Sequence, residues 1–296
     1  MNVLVTGGTG FVGNILVNLL CARSDRVTVL TRNPERFRSA RAGMAYAAWP
    51  VDVAKFDAVV NLAGAGILDR RWNDAYKAEL RASRVDLTRR LVDAIAAASK
   101  RPRVLVSASA VGFYGDRGEE LLPEGATPAD GFLSRMCVDW EAEANRASQF
   151  DVRVATVRIG LVLGSHGGAL KQMTPIFKLG LGGPFGSGKA WFPWIHVNDL
   201  ASLMIHALNG EHVSGALNGA APGIVRNKEY AATFGRVLSR PAFLPVPPFA
   251  LRIALGEVAN VLTDSQRTVP ERTLASGFAF QFPELEPALR NLLHRK

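Results

Sequence analysis

The stretch Val3-Leu4-Val5-Thr6-Gly7-Gly8-Thr9-Gly10-Phe11-Val12-Gly13 decides the fold. Its apolar start reads as a strand buried on both faces. Beyond the glycines, Val12, Ile15, Leu16, Leu19 and Leu20 recur at the spacing of one helix face. A glycine turn that leaves a strand and opens an amphipathic helix is what a dinucleotide's pyrophosphate needs. Gly7 permits the tight turn, Gly10 lets the backbone approach the phosphates, and Gly13 lets helix and strand pack closely. The helix N-terminus then faces the diphosphate, with Thr9, Phe11 and Val12 in the same turn.

The second strand, Arg26 to Leu30, ends at Thr31-Arg32. An NAD-binding chain usually carries Asp or Glu here to hold the ribose 2′-hydroxyl. Arg32 offers a planar fork of donors to a 2′-phosphate instead, which selects NADP over NAD. A second glycine-lysine stretch, Gly183 to Lys189, imitates a nucleotide-binding P-loop. Ala190 replaces the required hydroxyl, and Trp191-Phe192-Pro193-Trp194 follows where a helix must begin, so it reads as a turn.

Working outward, strands at Asp57–Leu62, Val104–Ser107 and Val152–Ile159 alternate with helical stretches at Trp72–Ala98 and Leu133–Ala147. The alternation predicts an α/β fold, a Rossmann-type doubly wound parallel sheet. Composition shifts at Gly164. The expected organisation is a dinucleotide-binding domain over 1–164 and a smaller C-terminal α+β substrate lobe over 165–296, with 191–221 returning to the first.

The chain has 296 residues, 48% hydrophobic and 21% charged, ordinary for a globular protein. Cys21 and Cys137 form no CxxC pair or disulfide framework, which points to a reducing cytoplasm. The histidines show no metal-binding spacing, so no metal is expected. The apolar N-terminus lacks a basic leader and is broken by glycines, and Phe243–Leu262 carries prolines and charges. Neither serves as a signal peptide or a membrane span. A net charge of +9 suits an anionic partner, yet no basic run or aromatic-interleaved stripe exists. The expected partner is a small-molecule substrate, not nucleic acid or a membrane, for a monomer or homodimer.

TGGTGFVG at 6–13, NLAG at 61–64, SASAVGFYG at 107–115, RIGLVLG at 158–164 and WIHVNDLA at 194–201 resemble an extended short-chain dehydrogenase/reductase. RRWN at 70–73, DWEAEA at 139–144, GLGGPFGSGK at 180–189 and the segment from Ser265 to Leu289 are similar to its atypical epimerase-like branch of the YfcH type. The resemblance spans the chain. It implies NADP binding, with Leu62, Ala63 and Gly64 lining the adenosine side and Val162 near the nicotinamide end. It further implies that Ser107, Glu79 and Arg84 reach the cofactor.

The chemistry departs from that family. Its usual proton-handling pair is YxxxK, but the fourth residues after Tyr46, Tyr76, Tyr114 and Tyr230 are Pro50, Leu80, Gly118 and Phe234. Leu133 and Cys137 fall in the two catalytic slots. Ser109, at a strand mouth, and Tyr114, in the following turn, remain as the candidate catalytic residues. Phe192 stands where related sugar-nucleotide enzymes carry a diphosphate-gripping arginine, leaving Arg135, Lys178 and Lys189 as possible anion holders. The expected function is an NADP-dependent oxidoreductase or epimerase-like enzyme acting on a small carbonyl or hydroxyl compound. The rival is a non-catalytic NADP-binding redox sensor or regulatory protein.

Overall fold

Asn2–Thr6 (β1) lies near the middle of a seven-stranded sheet in a computed structural model that describes residues 1–37 and 43–293. The other strands are Arg26–Leu30 (β2), Met44–Ala47 (β3), Ala58–Asn61 (β4), Val104–Ala110 (β5), Arg153–Ile159 (β6) and Gly215–Gly219 (β7). Their order is β7-β6-β5-β4-β1-β2-β3, and every pairing is parallel. The doubly wound Rossmann sheet expected from the strand–helix alternation is therefore present. Its order reverses between β1 and β4, and in such sheets the crevice at that reversal is where ligands bind.

The strands are apolar on both sides because helices cover both sides. Val3, Val5, Val27 and Val29 meet Leu16 and Leu20 of Phe11–Ala22 (α1) and Leu203 of a later helix, Val197–Asn209. Leu4, Val59 and Leu105, one residue out of phase, point the other way into a separate cluster with Leu91 and Ile95. That alternation is the two-residue period of a strand acting on a continuous apolar run.

The helical stretch expected over Trp72–Ala98 is not one regular helix. Asp74–Arg81 (α2) and Leu87–Ala97 (α3) flank a π-helical turn at Ala82–Asp86. The wider turn rotates the apolar face. Tyr76 and Leu80 join the cluster around α1, whereas Leu91 and Ile95 join the opposite one. It also turns Arg84 and Val85 inward, where both are buried.

Phe132–Asn145 (α4) connects β5 to β6, and Gly168–Lys178 (α5) follows the glycine-rich break. A further buried cluster joins Leu170 and Phe177 of α5 with Phe192, Trp194, Tyr230, Phe234 and Leu289. Phe177 and Phe234 stack at 4.2 Å between ring centres. Two carboxylates fasten the C-terminal segment to the sheet. Glu124 accepts from the backbone N–H of Asn218, Arg272 and Thr273 at 2.9–3.0 Å. Asp199 accepts from those of Gln281 and Phe282 at 2.8 and 2.9 Å.

Candidate functional site

A cleft of about 870 Å³ opens at the carboxyl ends of β1 and β4. Its floor is set by a buried hydroxyl–amide chain. Thr6 Oγ1 donates to Asn61 Oδ1 at 2.7 Å, and Asn61 Nδ2 donates to Thr88 Oγ1 at 2.7 Å and Ser107 Oγ at 3.2 Å. The same Thr6 oxygen accepts from the N–H groups of Leu62 and Ala63 at 3.2 Å, tying the two strand exits together.

The glycine turn differs in what each position excludes. Gly7 adopts φ +68°, and a Cβ there would meet the Leu62 carbonyl carbon at 2.6 Å. A Cβ at Gly13 would collide with the Gly7 oxygen. Gly10 is different: its Cβ would touch only Gly7 O, at 3.2 Å, and otherwise project into open space. No side chain caps the N-terminus of α1, and Gly10, Phe11, Val12 and Gly13 all line the cleft. The Phe11 ring sits where side chains on Gly164 and Gly167 would be, which holds the loop after β6 against the turn.

Against Gly64 in the same cleft lies Arg84, only 8% exposed. It donates to the carbonyls of Leu80 at 3.2 Å and Ala65 at 2.8 Å, and its guanidinium lies 5.5 Å from the Trp140 ring centre. Among the described residues no carboxylate forms an ion pair with it. Burial pulls its pKa below the ordinary arginine value. A buried cation without an anion is costly, and it makes this wall of the cleft a receptor for negative charge. The uncapped helix end, the space beside Gly10 and the Arg84 cation together fit a diphosphate-bearing dinucleotide.

Beneath the middle of the cleft runs a buried polar network. Ser109 Oγ donates to Glu141 Oε1 at 2.6 Å. Arg158 holds the same carboxylate with two prongs and donates to Tyr114 OH at 3.0 Å. Tyr114 OH in turn donates to Asn218 Oδ1 at 2.7 Å. Ser109 does line the cleft, but its proton is committed to Glu141. Tyr114 is 0% exposed and does not line it, so the expectation that its phenol faces substrate is corrected. The sequence could not show that Arg158 and Asn218 would draw the phenol inward. Leu133 and Cys137 do border the cleft, on α4. Burial pushes the Cys137 thiol up to about 12, and Leu133 has no proton to offer.

The far wall comes from Glu257, Asn260, Val261, Asp264 and Gln266, facing Asp116 and Asp130. Glu257 is paired with Lys77 at 2.6 Å. Asp116 accepts from the N–H of Ser265 at 3.1 Å. Asp264 is half-buried, and burial together with the Asp116 charge lifts its carboxyl to about 6. Sequence reasoning missed this residue. It lies in no motif and comes to the cleft only because the C-terminal segment folds back.

Of the other expected cofactor residues, Gly64, Leu62, Ala63 and Val162 line the cleft. Thr9, Thr31, Arg32 and Ser107 do not; Thr31 and Arg32 follow the carboxyl end of β2, and Arg32 is exposed. Glu79 is turned away, exposed, and 3.5 Å from Arg70 in an ion pair. Glu79 and Arg84, five residues apart, lie on different faces, one exposed and one buried. Arg135, Lys178 and Lys189 are exposed and outside the cleft lining.

A parallel sheet of this order, with a glycine turn and an anion-receptive crevice at its switch point, defines a Rossmann-type dinucleotide-site protein. Residues 3–218 match the NAD dependent epimerase/dehydratase family, and the chain belongs to it. Residues 246–292 match a domain of unknown function, DUF1731. The chain is 42% identical over 303 residues to the chloroplastic epimerase family protein SDR39U1 homolog of Arabidopsis thaliana, covering 99% of this chain and 87% of that one. It is 41% identical over 297 residues to the human epimerase family protein SDR39U1, covering 99% and 100%. The crystal structure of the human protein (isoform 2) with NADPH superposes with a TM-score of 0.93 at 40% identity, covering all of both chains.

Proposed function

We propose that the protein binds NADPH in this cleft and reduces a small carbonyl compound there. The observation that carries the cofactor half is the buried Arg84 guanidinium, which has no ion-pair partner among the described residues and lines the same cleft as the uncapped α1 N-terminus. The similar human protein was crystallised with NADPH, which supports the same ligand here. In this reading Gly7, Gly10 and Gly13 hold the diphosphate, Arg84 adds positive charge, and Arg32 pairs with the 2′-phosphate.

NADPH held there would supply the hydride that a carbonyl carbon takes up, leaving NADP⁺. The carbonyl oxygen needs one proton to become a hydroxyl. Ser109 cannot readily give it, since its proton already serves Glu141. Asp264 borders the same cleft with a carboxyl that stays partly protonated close to neutral pH. It is the group best matched to that proton transfer. Trp72, Phe132 and Phe192 enclose the space and suit a weakly charged substrate.

The test is NADPH titration followed by a carbonyl screen that reads NADPH consumption, on wild type and on Asp264→Asn. Tight NADPH binding with turnover lost in the variant supports the reading. Absence of NADPH binding overturns it. Tight binding with no turnover across a broad screen favours the non-catalytic sensor, a reading that the locked Ser109–Glu141–Arg158–Tyr114 network also favours.

A further inference from the structure

The segments 179–184 and 240–253 carry an apolar patch. Leu179 is 74% exposed, Phe243 72%, Ile253 71% and Phe249 68%, with Leu181 and Leu244 beside them. Large contiguous exposed apolar surfaces mark interaction sites. These residues come from two segments stitched together. Leu244 N–H donates to Gly182 O at 3.3 Å, Val246 N–H to Pro184 O at 2.8 Å, and Arg240 Nε to Lys178 O at 3.0 Å. Phe249, Arg252 and Ile253 share one face of the helix Pro248–Leu255 through their three- and four-residue spacing.

The charge of this face has one sign. From Val152 to Asn198, and again from Tyr230 to Gly256, the chain has no Asp or Glu. Lys171, Lys178, Arg240 and Arg252 are exposed in or beside the patch. A second copy docking here through a two-fold axis would bring those cations against their own counterparts, at a cost. An anionic surface meets them favourably. Exposed aromatic and aliphatic side chains interleaved with Lys and Arg are what the headgroup region of an anionic bilayer accommodates.

We propose that this face is a peripheral docking surface for anionic lipid bilayers. Among the described residues no helix is long and apolar enough to cross a membrane, so the contact lies in the interface plane. The sequence criterion that argues against a membrane partner concerns crossing, and a patch assembled from two distant segments escapes it. The helix Pro248–Leu255 leads directly into Glu257–Asp264, the far wall of the cleft, so docking sets that wall beside the bilayer.

The experiment is co-sedimentation of the whole protein with phosphatidylcholine vesicles, with and without phosphatidylserine, at low and high salt. Binding to the phosphatidylserine vesicles, weakened by salt, is expected. Phe249→Ser with Ile253→Ser should lower the affinity at least about tenfold. Lys178→Glu with Arg252→Glu should lower it by roughly fivefold or more for each charge. Unchanged NADPH affinity and thermal stability in both variants show that the fold is intact. Three results overturn the proposal: no vesicle binding by wild type, binding that survives both variants, or a dimer abolished by the apolar variant without any vesicle binding. The last would make the face a contact between copies.

Discussion

Arg158 and Glu141 meet as a two-pronged ion pair beneath the cleft, Nε to Oε1 at 2.8 Å and Nη2 to Oε2 at 2.9 Å, with both residues under a tenth exposed. Burial works against the guanidinium charge, and Glu141 more than restores it. Glu141 stands one turn along α4 from Cys137. The pair consumes the hydroxyls of Ser109 and Tyr114. Removing one partner of such a pair typically costs about 3–5 kcal/mol, because the other is left as a buried charge. Arg158→Met should therefore destabilise by about that much in urea unfolding, and Arg158→Met with Glu141→Leu should recover a large part. A single-variant cost below about 1 kcal/mol would show that the pair does not hold this region.

The glycines of the turn should separate in their effects. Gly10→Val should abolish NADPH binding with little change in apo-protein stability, because its side chain would enter open space. Gly13→Ala should lower stability itself, since its Cβ would collide with the Gly7 oxygen. Thermal unfolding and NADPH fluorescence titration, run on both, check this. Equal stability losses would sink the distinction.

Arg84→Met has two opposed consequences. The apo protein should be as stable as wild type or more so, because a buried cation lacking an ion-pair partner is removed. NADPH affinity should fall roughly ten- to a hundredfold, the contribution of a charge-assisted contact. Thermal shift with and without NADPH reads both at once. Lower apo stability with unchanged affinity would make Arg84 a purely structural residue.

Cofactor preference should rest on Arg32. Wild type should bind NADPH more tightly than NADH by roughly ten- to a hundredfold, and Arg32→Asp should reverse the order. Equal wild-type affinities for the two nucleotides would remove that role.

Asp264 predicts a pH dependence. Its carboxyl is raised from 3.8 to about 6, so the folded state holds the proton more strongly than the unfolded state does. The stability this contributes is present below 3.8 and is lost as pH rises to about 6. Asp264→Asn should be more stable than wild type at about pH 8, with the difference vanishing at about pH 4. Carbonyl reduction should slow as pH climbs through about 6 in wild type. A melting-temperature difference independent of pH would refute the assignment.

How much of this was legible depended on range. The turn at 7–13 is local: a strand, three glycines and a helix face lie within one short stretch, and only Gly fits beside the Leu62 backbone or Gly7 O. The place of Arg32 just after β2 is equally local. The helical stretch over Trp72–Ala98 read less well, since its apolar spacing leaves no mark of the π-helical turn that carries the buried Arg84. Tyr114 was legible as a turn aromatic, but not as a partner of Asn218, 104 residues away.

The sequence by itself determined the parallel sheet, its glycine turn, the family and the absence of a tyrosine–lysine pair. Each follows from periodicity or identity within a short window. Only the tertiary structure decided which polar groups face the cleft. Glu141, Arg158 and Asn218 draw Ser109 and Tyr114 into a closed network, while the returning C-terminal segment brings Asp264 to the opposite wall. The physical reason is that a buried polar side chain must satisfy its hydrogen bonds with whatever the fold places near it. Those neighbours come from strands and loops far apart in the chain.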